Sequence, residues 1–133
     1  MGARIRILVV GTEPDLRFSV AVALRQGGYE VGETGAGREG VEKLLNSRRK
    51  GERYSLVVAL LQMPGTWVLE LMDELGRRGL AVPMLAVGDS DENGLRERLT
   101  SRGFAEFHDI SARPAELVAR VALLVNKIDR GTI

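Results

Sequence analysis

The sequence predicts an open, doubly wound α/β fold built on a parallel sheet, and three observations carry that prediction. Five short β-rich runs alternate along the chain with stretches of helical spacing. The third run, Leu56–Leu61, shows no polar alternation, as expected of a central strand covered on both faces. Proline and glycine punctuation agrees with the boundaries between units. Parallel neighbours need long crossovers, which are right-handed and place helices on both sides of the sheet.

The elements follow in order. The first run, Ile5–Val10, precedes a helical face of Leu16, Val20, Ala23 and Leu24. Thr12 lies three residues before Asp15 with Pro14 between them, which reads as a helix start, and Gly27-Gly28 ends that helix. The second run, Tyr29–Thr34, leads to Val41, Leu44 and Leu45 on the next helical face. A basic connection around Arg48–Arg53 reads as a solvated turn before the third run. Val68, Leu71, Met72 and Leu75 then share a face, with Gly79 as the stop and Pro83 ahead of the fourth run, Met84–Val87. The helical signal around Leu95 and Leu99 is the weakest and stops at Gly103, before the fifth run, Phe104–Phe107. Pro114 opens the last helix, whose Leu117, Val121, Leu124, Val125 and Ile128 make the strongest apolar stripe, while Arg113 before it is biased away from helix.

A length of 133 residues fits one domain, 1–133, burying about two-thirds of its unfolded surface. With 44% hydrophobic and 28% charged residues the composition is globular. Nineteen basic against eighteen acidic side chains leave +1, so the charge balance nominates neither nucleic acid nor a membrane surface as a partner. The absence of cysteine excludes disulfides, thiolate metal sites and thiol nucleophiles, and fits a reducing compartment. No apolar run approaches a membrane span, and Met1–Arg6 has neither a signal-peptide core nor a myristoylation pattern. The expected setting is cytoplasmic.

Open parallel sheets work in the crevice beyond the carboxyl ends of their strands. The residues there are Gly11-Thr12-Glu13, Leu60-Leu61-Gln62, Gly88-Asp89-Ser90 and Asp109-Ile110-Ser111.

Several stretches carry a family likeness. Ile7-Leu8-Val9-Val10-Gly11-Thr12-Glu13-Pro14-Asp15-Leu16-Arg17 resembles the first strand and turn of a bacterial response-regulator receiver (CheY-like) domain. Gly28-Tyr29-Glu30-Val31 resembles its second strand, and Tyr54 through Gln62-Met63-Pro64-Gly65 its third strand and turn. Val82-Pro83-Met84-Leu85-Ala86-Val87 is similar to the fourth strand, and Arg113-Pro114-Ala115-Glu116-Leu117 to the start of the fifth helix. The likeness runs in register from about Arg4 to Asp129. It implies a flavodoxin-like (βα)5 sheet of order 2-1-3-4-5.

The same register implies a missing chemistry. Receivers carry an acidic pair after the first strand, a phosphate-accepting Asp ending the third, a Thr or Ser after the fourth and a Lys after the fifth. In this chain those positions are Gly11 and Thr12, Leu60, Gly88 and Ile110, with Ser111 where proline usually follows the lysine. Glu13 stands one place beyond the acidic pair. Mg²⁺ requires hard oxygen ligands, and acyl-phosphate formation requires a carboxylate nucleophile and a neighbouring cation. The resemblance therefore implies a pseudo-receiver with vestigial phosphorylation-site positions, no catalytic residues, no metal and no cofactor.

Other features have plainer readings. Gly35-Ala36-Gly37-Arg38-Glu39-Gly40 matches a dinucleotide motif, but it follows the second strand and lacks the acid expected about twenty residues on, so it reads as a glycine-rich helix entry. Asp89, Ser90, Asp91 and Glu92 read as a helix cap. His108-Asp109 with Glu13 and Asp89 makes a poor metal signature, because neighbours on a strand face opposite ways. Ser111, His108 and Asp109 lack the nucleophile elbow a hydrolase would need. Trp67 reads either as packing over the third helix or as a partner anchor, with packing favoured. Phe107 falls where similar domains carry an aromatic residue that changes rotamer on activation. With Arg96, Arg98, Arg102 and Arg120 it marks a candidate partner surface on the fourth helix, fifth strand and fifth helix.

The functional expectation is a non-enzymatic module of two-component signalling acting by phosphorylation-independent protein–protein contact. Its partners would be a histidine kinase, another regulator or an output domain, or a second copy through that surface. Two alternatives stand beside it: a displaced phosphoacceptor at Asp89 or Asp109, and a small-ligand site drawing on Thr12, Glu13, Trp67 and Ser90.

Overall fold

In the computed structural model, residues 5–35, 38–61, 67–80, 82–88, 94–101, 105–109 and 114–129 are described; for Arg96, 105–109 and Asp129 the description covers the backbone. Among the described residues five strands alternate with five helices: β1 (Arg6–Gly11), α1 (Pro14–Gln26), β2 (Glu30–Thr34), α2 (Arg38–Arg49), β3 (Leu56–Leu60), α3 (Trp67–Arg77), β4 (Met84–Gly88), α4 (Leu95–Thr100), β5 (Ala105–Asp109) and α5 (Pro114–Asp129). The strands pair in parallel in the order β2-β1-β3-β4-β5. This is the flavodoxin-like sheet that the sequence implies.

Strand alternation explains why both layers are apolar. Along β3, Leu56, Val58 and Leu60 join Ile7, Val9, Leu85 and Val87 beneath α1 and α5. Val57, Ala59 and Leu61 turn to the other face with Leu8, Val10, Met84 and Ala86, beneath α2, α3 and α4. A strand covered on both sides gains from apolar residues at every position, which is why the third run shows no alternation.

The sheet's β2 edge is guarded rather than hidden. In a parallel strand alternate residues point their backbone groups outward, here those of Val31 and Glu33. Arg25 of α1 donates to the Val31 carbonyl at 3.0 Å and Lys43 of α2 to the Glu33 carbonyl at 3.0 Å. One cation from each helical layer occupies an acceptor that another chain would otherwise pair with.

The start of α1 differs from the sequence reading. Helix α1 begins at Pro14 with Glu13, not Thr12, as its N-cap. The Glu13 carboxylate accepts from the backbone N–H of Asp15 at 3.2 Å and of Leu16 at 2.8 Å. Its longer side chain reaches two orphan donors, and its charge favours the helix N-terminus. Helix α4 runs from Leu95 behind Gly94, whose φ of 68° lies in the left-handed region that glycine favours. The cap expected at Ser90 and Asp91 lies outside the described residues. Residues 89–93 themselves lie outside the described residues, as do Gly103, Phe104 and Arg113.

Candidate functional site

The carboxyl ends of the central strands bring three of the five singled-out positions together. Gly11 pairs with Leu60 across β1 and β3, Leu60 pairs with Val87 across β3 and β4, and Gly88 follows Val87, paired with Asp109 of β5. Ile110 and Ser111 lie outside the described residues. So do Gln62, Met63, Pro64 and Gly65 of the expected turn, and Asp89 and Ser90 of the fourth loop.

Leu60 is not an exposed stub at the rim. It is 1% exposed and packs in the α1/α5-side cluster. A Cβ placed on Gly11 would lie 3.1 Å from the Leu60 Cβ and 3.3 Å from its Cδ1. The two residues therefore fit as a pair, with the leucine lying against the space that any side chain at position 11 would enter. Thr12 is exposed just beyond.

Among the described residues, Glu13 and Arg17 beside this pair are both engaged. Glu13 caps α1, as described above. Arg17, one turn into α1, donates from Nη1 to the Gly11 carbonyl at 2.7 Å. Its Nε stands 3.5 Å from Glu33, whose other oxygen receives Arg25 at 3.4 Å. The end of β1 is thus tied through Arg17, Glu33 and Arg25 to the edge of β2. Sequence reading missed Arg17 as part of this site, because its partner is a backbone carbonyl and leaves no motif.

Oxygen chemistry at Gly11, Thr12, Leu60 and Gly88 amounts to one neutral hydroxyl and the backbone, a donor set that does not fit Mg²⁺. Among the described residues no three His, Asp or Glu side chains converge as metal ligands. The glycine-rich segment after β2 is likewise occupied from within. The Glu39 carboxylate accepts from the Thr34 hydroxyl and the Gly35 N–H, both at 3.3 Å, placing a negative charge where a phosphate would need donors.

Trp67 opens α3 partly buried against the α2/α3/α4-side cluster, with its indole Nε1 buried and lacking an acceptor. Arg98 is exposed on α4, and Arg120 is half-buried on α5. The Arg96 and Phe107 side chains and all of Arg102 fall outside the description. Leu123, three residues after Arg120, is 58% exposed, an apolar outlier that the helical stripe alone did not single out.

Comparison with known proteins agrees with this architecture. The family model for the response regulator receiver domain matches residues 7–122. No curated protein matches the chain in sequence. A CheY-like response regulator receiver domain protein from Methanospirillum hungatei is 18% identical with a TM-score of 0.81, over 97% of this chain and 99% of that one. The chemotaxis protein CheY4 of Vibrio cholerae is 18% identical with a TM-score of 0.72, over 90% of this chain and 98% of that one. The C-terminus of Escherichia coli RcsC, containing a linker region and a phosphoreceiver domain, is 19% identical with a TM-score of 0.79, over 99% of this chain and 50% of that one. At such identities the structures establish a common fold, and the family match over most of the sequence supplies the rest: this chain belongs to the response regulator receiver domains.

Proposed function

We propose that this receiver works as a single non-enzymatic module of two-component signalling whose state is set by protein–protein contact and not by aspartyl phosphorylation. The observation that carries the reading is the buried Gly11–Leu60 pair. An aliphatic side chain 1% exposed occupies the strand end where the family places its phosphate acceptor. Gly11, Thr12, Leu60, Gly88 and Ile110 are then vestigial positions, retained for packing and backbone course. An apolar end to the crevice also avoids burying carboxylates that no metal would neutralise.

The partner in this reading is a histidine kinase, another regulator, an output domain or a second copy, and the surface is the α4–β5–α5 face. Exposed Leu123 beside Arg120 supplies an apolar centre with a polar neighbour, and Arg98 extends the face along α4. No helix among the described residues is long and apolar enough to cross a membrane.

Incubation with Mg²⁺ and acetyl phosphate, followed by intact mass, tests the proposal. The expected spectrum is that of the unmodified chain. A phospho-adduct removed by Asp89→Ala or Asp109→Ala would instead establish a displaced acceptor; Asp109 stands in register with Gly88.

A further inference from the structure

The opposite end of the sheet carries a second concave surface. The turn between α2 and β3 holds Arg48, Arg49, Lys50 and Arg53 around one acid, Glu52, so positions 48–53 total 4 − 1 = +3 in a chain of net +1. Glu52 is drawn toward Arg6, 3.8 Å away. All four cations are exposed. Arg48 makes one long contact, 3.4 Å, to the Gly79 carbonyl.

The sequence reads this turn as merely solvated, but the fold gives it a wall to stand on. Arg48 and Arg53 line a groove of about 410 Å³ whose apolar surface includes Leu44, Leu80, Val82 and Ile128. A smaller apolar groove of about 210 Å³ shares Gly79, Leu80 and Val82 with it and runs on to Met72, Leu75 and Met84. The result is an apolar trough with a strongly basic end.

We propose that this trough docks an acidic segment of a protein partner, with apolar side chains seated over the half-buried Val82 and Ile128 and carboxylates against Arg48 and Arg53. Rim charge steers and orients such a segment, while recessed apolar surface supplies burial. A membrane would call for protruding apolar residues, yet Leu44 and Leu80 are only 3% and 8% exposed. A nucleic-acid strand would call for stacking rings, and the one aromatic here, Tyr54, has the Arg6 guanidinium 5.0 Å from its ring centroid. The inference goes beyond the signalling reading above and does not depend on the state of Leu60.

The test is titration of a fluorescein-labelled octapeptide of alternating Glu and Leu with the intact chain, read by anisotropy and by amide shifts. Saturable, salt-sensitive binding is expected, with shifts centred on Ser55, Leu80 and Val82. Arg48→Glu with Arg53→Glu should weaken it roughly tenfold or more. Gly76→Leu, which enters open space beside the apolar branch, should weaken it without loss of folding. Four outcomes overturn the proposal: no saturable binding, indifference to the charge reversal, equal binding of a Lys–Leu or a Glu–Ser octapeptide, or preferential binding of phosphatidylserine vesicles or single-stranded RNA.

Discussion

The two ends of the sheet differ in kind. At the carboxyl end, where receivers conduct their chemistry, the centre is apolar and tightly fitted: Gly11 admits Leu60, and the nearby Glu13 and Arg17 are spent on backbone groups. At the amino end the chain is open, with a groove and a cluster of exposed cations. The middle of each central strand is buried on both faces. The same sheet thus presents a packed apolar end and an open basic end.

The largest expected effect sharpens the contrast at the carboxyl end. Leu60→Asp removes a buried aliphatic side chain and places a carboxylate in an apolar cluster with no cation assigned to it, a loss on the order of 4 kcal/mol in urea denaturation. A mild effect, under about 1 kcal/mol, would mean that the position is already wet.

Next comes the fit between Gly11 and Leu60. Gly11→Ala should destabilise by about 1–3 kcal/mol, because a contact between two Cβ atoms cannot be relieved by turning a side chain and the paired strands must shift. Leu60→Ala leaves that Cβ in place but frees room around it. A double-mutant cycle of the two should show coupling of roughly 1 kcal/mol, and strict additivity would break the claim that they fit as a pair.

Glu13→Ala should cost about 1 kcal/mol through loss of the α1 cap, with the amides of Asp15 and Leu16 exchanging faster with solvent. Unchanged exchange at both would separate Glu13 from the helix start.

The smallest effect belongs to the amino end. Glu74, near the end of α3, is held below the usual carboxylate range by hydrogen bonds from Arg77 and then Arg78. A lowered folded-state value adds stability that is present above the unfolded-state value and lost as pH falls through the folded one. The pair is solvent-accessible, so the contribution is slight. Carbon-detected titration should place the Glu74 midpoint below that of an isolated glutamate, returning toward it in Arg77→Ala/Arg78→Ala.

Much of the architecture was legible because short apolar runs and helical apolar spacing alternate along the chain, with glycine and proline marking the joins. Strand order came from the family likeness instead, since parallel pairing leaves no local signal. The start of α1 was misread for a local reason. Average capping preferences favour Thr12 over Glu13. At the site, Gly11, Leu60 and Gly88 were readable as departures from a motif, but their mutual fit was not, because it arises between strands about fifty residues apart in sequence. The groove at the amino end was invisible for the same reason, being assembled from α2, the segments leading into β3 and β4, and α5.

Titration of the 15N-labelled chain with Mg²⁺ and then beryllofluoride tests the central claim most directly. The account predicts that the amides of Gly11, Thr12, Leu60 and Gly88 stay where they are, apart from uniform salt effects. Saturating shifts confined to those four, growing on addition of beryllofluoride, would mean that the strand tips still hold a cation and a phosphoryl mimic.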